Sequence, residues 1–109
     1  MTSNDYGEVP ELLQRLESEL RRLGWWSPQA PSPEALASTR PFHVDTLAFE
    51  EWLQWILLPR LRALMDRGAP LPGASAMAPM GEVAWRHCAT EAAPVIELLS
   101  RLDQALSSQ

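Results

Sequence analysis

Apolar residues recur at helical 3,4 spacing in the first and last parts of the chain, and crowd together without a clear face in the middle. In the first part Val9, Leu12, Leu13, Leu16, Leu20 and Leu23 fall on one stripe, while Glu11 with Arg15 and Glu17 with Arg21 stand four apart on the other side. Pro10 suits the first helical position and Gly24 the stop, so the spacing predicts an amphipathic helix over Pro10 to Leu23. In the last part Trp85, Cys88, Ala92, Val95, Leu99, Leu102 and Leu106 keep phase across Pro94. One packing seam follows, carried either by one helix bent at Pro94 or by two helices meeting there.

In the middle part, Asp45 or Thr46 is expected to cap a helix that Gly68 ends, with Glu50 and Glu51 near the positive end of its dipole. From Leu47 to Met65 apolar side chains point in nearly all directions, and a helix that is apolar all round must be covered all round. Pro59 removes one amide donor and leaves the Trp55 carbonyl unpaired, at a cost of roughly 3 kcal/mol. Burial returns roughly 1.5 to 3 kcal/mol per large apolar side chain, and Trp55, Ile56, Leu57, Leu58 and Leu61 surround the proline. A kinked but continuous helix is predicted.

Two proline-rich segments join these parts. Trp25 to Val44, with Pro28, Pro31, Pro33 and Pro41, reads as a long connector holding one short helical turn that starts at Ser32, Pro33 and Glu34. Trp25, Trp26 and Phe42 argue that this connector packs, because such rings are costly to leave in water. Ala69 to Gly81 reads as a second loop, uncharged and expected to lie against the body. No run alternates as a strand does. The reading is all-α: a small bundle of three to four helices with two proline-rich loops, forming one domain over residues 1–109.

Composition narrows the function classes. A hydrophobic content of 46% suits a modest core without disulfides, and the single cysteine, Cys88, cannot form an internal one. The first ten residues, polar and acidic, are unlike a secretory signal, and the longest apolar run of the central segment, Trp55 to Pro59, is far shorter than the ~20 residues of a membrane span. A soluble cytoplasmic protein is expected. Nine basic residues, all arginine, face fourteen acidic ones, for a formal charge of −5. Phosphate backbones are gripped by clustered cations, so this balance counts against direct nucleic-acid binding.

Candidate chemistry is sparse. Asp45 is the aspartate an enzyme would use as nucleophile or base, although a helix cap accounts for it equally. His87 and Glu91 share a helix face beside Cys88, and His43 could approach from a loop, but two placed ligands fall short of the three or four a metal needs; no metal or cofactor is expected. Binding is better represented. Tryptophan and arginine concentrate at interface hot spots, and there are five tryptophans here. Either the central helix is wholly covered, or Trp52, Gln54 and Trp55 stay open as a groove for a partner. Arg60, expected near the Phe49 and Leu53 side, could hold a carboxylate or phosphate at the kink with Gln54 and His43 as neighbours. The partner-binding candidates are thus Phe42, Trp52, Gln54, Trp55, Pro59 and Arg60.

The stretch STRPFHVDTLAFEEWLQWILLPRLRALMDRGAPLPGASAMAP carries Pro41-Phe42, Asp45-Thr46, the WLQW of Trp52 to Trp55, Pro59-Arg60 and the LPG of Leu71 to Gly73. In that order and spacing it resembles the YqcC-like family of small bacterial proteins. The resemblance implies a small helical bundle and an association with the C-type tRNA pseudouridine synthase, a label some descriptions extend to the family itself. Pseudouridine synthases have a larger mixed α/β fold, a catalytic aspartate on a loop and a basic RNA cleft; this chain offers neither the strands nor the charge. The expectation is a non-enzymatic module presenting its central helix to a protein partner, with an enzyme of tRNA pseudouridine synthesis and a homodimer as the alternatives.

Overall fold

The computed structural model describes residues 6–73 and 76–107. Helix α1 spans Val9–Arg22 and turns Val9, Leu12, Leu13, Leu16 and Leu20 into the core. A short helix α2, Pro33–Leu36, follows, with the Ser32 hydroxyl accepting the Ala35 amide at 3.1 Å as its N-cap. The central helix comprises α3, Phe49–Trp52, a π-helical turn, Leu53–Leu57, and α4, Leu58–Asp66. Helix α5 is Met77–Ala84, and α6, Ala89–Ser107, follows a 3-10 turn, Arg86–Cys88. No strand occurs among the described residues. The class is all-α, as the spacing predicts: α1, the central helix, α5 and α6 make the bundle.

Two boundaries differ from expectation. The central helix starts at Phe49, after Ala48, rather than at Asp45 or Thr46. The Glu51 carboxylate reaches back to the Ala48 amide at 2.8 Å and supplies the capping that Asp45 was expected to supply. Asp45 and Thr46 instead tie the connector: Ser38 donates to Asp45, and Thr46 donates to the Ala35 carbonyl at 2.7 Å.

The second correction concerns Ala69 to Gly81, whose latter half is helix. Ala74 and Ser75 lie outside the described residues, as do the first five residues of the chain. A helix start needs partners for its first amides. For α5 these come from a distant residue: Asp103, on α6, accepts the amides of Met77 and Ala78 at 3.0 and 2.9 Å. Pro79 occupies the next position, where it has no amide to satisfy. Gly81 lets the ring of Trp85 lie close, since a Cβ there would stand 2.9 Å from it.

The prolines of the two long helices are tolerated in different ways. Around Pro59 the helix is continuous, and the turn just before it is wide: the Leu58 amide pairs five residues back, with Leu53. A π turn at this place gives the proline ring room where an α turn would press it against the carbonyl four residues earlier. Pro94 lies inside a single helix, α6, which resolves the choice left open above. Both Pro94 and Thr90, whose carbonyl it leaves without a donor, are exposed to water.

Candidate functional site

Two aromatic assemblies flank the central helix. The first is closed. Trp25 packs on Trp85 with centroids 5.0 Å apart, Trp85 on Phe49 at 5.2 Å, and Phe49 stacks on Trp52 at 5.7 Å. Phe42 meets Trp52 edge-on at 4.9 Å. Phe42 and His43 both adopt positive φ, of 56° and 51°, which for residues with a Cβ costs about 1 to 2 kcal/mol each. The strained turn swings the Phe42 ring into the cluster, and His43 Nε2 must be the protonated nitrogen because it faces the Leu36 carbonyl at 2.9 Å. The indole of Trp85 donates to Glu50 at 3.0 Å.

The second assembly is open. Trp55, half-buried, lines a depression of about 700 Å³ with Trp26, Pro28, Pro59, Arg21 and Arg62. Its floor is held by Gln54, which is 5% exposed and binds both backbone groups of Ser27, accepting from the amide at 2.8 Å and donating to the carbonyl at 2.7 Å. One amide side chain thereby replaces a missing backbone partner and fixes the connector to the π turn. Arg21 lies over the Trp26 ring at 4.6 Å. Arg62 and Arg21 both reach Glu17, at 2.8 and 2.9 Å. Partial burial alone would raise the Glu17 carboxyl, but the hydrogen bonds and charges of Arg62 and Arg21 outweigh it and hold the pKa below the ordinary value. The indole nitrogen of Trp55 is buried and has no hydrogen-bond partner.

The six sequence candidates therefore divide. Phe42, Trp52 and Gln54 belong to the fold: Trp52 is 8% exposed, and Gln54 is committed to Ser27. Trp55 and Pro59 line the open depression. Arg60 is exposed and joins neither Gln54 nor His43, both of which bond elsewhere. It is Arg62 that reaches the depression. A straight α-helical projection misplaced Arg60 because the π turn shifts the register by one residue just before it. Trp26 was legible as a packed ring, whereas its pairing with Trp55 depends on a connector path no local pattern encodes.

Asp45 is exposed, and its pKa is lowered, first by the hydrogen bond from Ser38, against a smaller rise from burial, and then by a backbone hydrogen bond and the nearby Arg40 and His43. His87, Cys88 and Glu91 line a separate groove. Among the described residues no three of His, Cys, Asp and Glu gather as a metal would require, and no helix is long and apolar enough to cross a membrane.

A helical bundle with a proline-marked central helix and an aromatic depression defines a class of small all-α module. Residues 8–105 match the family DUF446, described as "tRNA pseudouridine synthase C", and the chain belongs to this family of YqcC-like proteins. It is 42% identical over 103 residues to the uncharacterized protein YqcC of Escherichia coli, covering 94% of this chain and 93% of that one. An uncharacterized protein of Haemophilus influenzae is 39% identical over 80 residues, 73% of this chain and 76% of the relative. A tRNA pseudouridine synthase C of Pectobacterium carotovorum is 45% identical over 65 residues, which are 60% of this chain but 17% of that protein. The solution structure of Escherichia coli YqcC superposes with a TM-score of 0.81 at 39% identity, covering 94% of this chain and 87% of that chain.

Proposed function

We propose that this protein is a non-enzymatic accessory module that docks on a tRNA pseudouridine synthase through the depression of Trp26, Trp55, Pro59 and Arg62. The observation that carries this reading is the partial match to the Pectobacterium protein: a segment of this kind accounts for only 17% of a longer chain named tRNA pseudouridine synthase C. When a module is joined to an enzyme in one polypeptide and separate in another, the separate form needs an interface to do what the covalent link does, which is to keep the two concentrated together. The depression suits that task. It offers aromatic and proline surface with two arginines, Arg21 and Arg62, among its lining, and aromatic rings and arginines are the residue types that anchor interfaces.

Polar groups elsewhere support a binding role over a catalytic one, since Gln54, Asp103 and Glu50 are each engaged in holding the fold. The test is sedimentation and calorimetry of this protein with the pseudouridine synthase of the same genome. A complex in the micromolar range, lost with Trp55→Ala in a variant that remains helical, is the expected result. Absence of a complex at tens of micromolar synthase, with this protein forming a dimer through the same face, would replace the reading with self-association. Conversion of uridine by the isolated chain, abolished by Asp45→Asn, would replace it with catalysis.

A further inference from the structure

A second groove, of about 710 Å³, lies on another part of the surface, between the start of the central helix and α5 with the 3-10 turn after it. Its wall is apolar: Trp25, Met80, Val44 and Val83 all line it. Val44 and Val83 are 55% and 56% exposed, the two large hydrophobic side chains most open to water among the described residues. Two exposed valines from separate segments lining one groove give it apolar surface open to water, the kind that marks a binding site.

The charges lining the groove are of one sign. Glu50 and Glu91 face it, together with His87 and Cys88, and none of the nine arginines does. Glu50 gives one oxygen to the Trp85 indole, so it is held in place rather than free to swing away. Burial raises the Cys88 pKa, and the nearby carboxylates of Glu91 and Glu50 raise it further.

Apolar walls with carboxylates and no cation set the chemistry of the occupant. We infer that this groove takes a basic amphipathic helix from a protein partner, its apolar row seated between Val44 and Val83 and its arginines or lysines meeting Glu50 and Glu91. Such helices enter grooves through apolar anchors at i, i+3 or i+4, and i+7, and flanking cations set orientation. A second copy of this chain is a poorer occupant. A two-fold pairing through this face would bring four carboxylates into one interface with no lining cation to meet them. The inference concerns a different surface from the Trp55 depression and stands or falls separately from the function proposed above.

The probe is a synthetic helical peptide with a leucine stripe and arginines on its flanks, titrated by tryptophan fluorescence, since Trp25 and Trp85 line the groove. A scrambled peptide of identical composition is the control. The expected result is saturable binding that weakens about tenfold or more for the scrambled peptide, for Val83→Arg and for Glu91→Lys, the losses typical of an anchor or a charge partner. Val83 and Glu91 are exposed, so both variants should keep the helical circular dichroism of the parent. Arg62→Ala, in the other depression, should leave peptide binding unchanged. Equal binding of the scrambled peptide would reduce the effect to bulk charge and overturn the inference. So would binding that falls with Arg62→Ala but not with Val83→Arg, or no binding at all at several hundred micromolar peptide.

Discussion

Trp52 and Trp55 stand three residues apart in one short motif, yet they belong to different regions. Trp52 is 8% exposed and shares ring contacts with Phe42 and Phe49. Trp55, inside the π turn, lies half-open in a depression, with its indole nitrogen unpaired. The difference teaches that residue type does not mark the site here. What separates the two regions is their indole donors: Trp85 gives its N–H to Glu50, whereas Trp55 keeps a buried N–H without a partner, and in the closed region the unpaired buried atom is an acceptor, His43 Nδ1. An unpaired buried donor is a cost that a purely structural residue would be expected to avoid.

The sharpest way to break the comparison is to truncate both rings. Trp52→Ala should lower unfolding free energy by about 3 to 5 kcal/mol, the range for a large core aromatic, read by urea denaturation. Parity with Trp55→Ala would mean that both rings are core and that the depression is not a distinct region. Asp103→Ala comes next. It strips the Met77 and Ala78 amides of their acceptor, and a loss of about 1 to 3 kcal/mol is expected, with faster amide exchange at the start of α5. Unchanged exchange there would show that water can serve in place of the carboxylate.

Gln54→Leu tests the floor of the open region. Losing both bonds to Ser27 should cost about 2 kcal/mol and loosen the connector toward protease, while the Trp52 cluster keeps its near-ultraviolet circular dichroism. If that signal also collapses, the two regions are one cooperative unit. Glu17→Gln should cost less than about 1 kcal/mol at neutral pH, because the carboxylate and its arginines are partly in water. The sign follows from a folded-state pKa below the ordinary one: the contribution is present above the unfolded carboxylate pKa and disappears as pH falls through the folded value. Parent and variant should therefore converge in acid, and a gap that persists there would assign the effect to packing.

The smallest expected effect is the most informative. Trp55→Phe keeps a ring but removes the unpaired donor, so stability should change by no more than about 0.5 kcal/mol or rise, while synthase binding weakens. A large loss of stability would place Trp55 with Trp52.

The first and last helices were legible because each buries one stripe, and a stripe is a local pattern. Leu12, Leu16 and Leu20 on α1, and Val95, Leu99 and Leu102 on α6, are all buried as their spacing predicts. The candidate site was legible only in its residue types. A helix apolar all round carries no stripe from which to tell Trp52 from Trp55, and no sequence signal announces a π turn. Helix α5 was missed for a related reason: Pro79 and Gly81 read locally as loop, and the acceptor that starts the helix stands 26 residues away from Met77.

The amino-acid sequence by itself determined the all-α class, the long helices, the packed first connector and membership of a recognisable family, because periodicity, proline and aromatic content act over a few residues at a time. Tertiary structure decided how α5 is capped and which face of WLQW meets solvent. Those outcomes depend on Asp103, Ser27 and Glu17 meeting groups distant along the chain, and side chains far apart in sequence choose partners only when the fold brings them within hydrogen-bond reach.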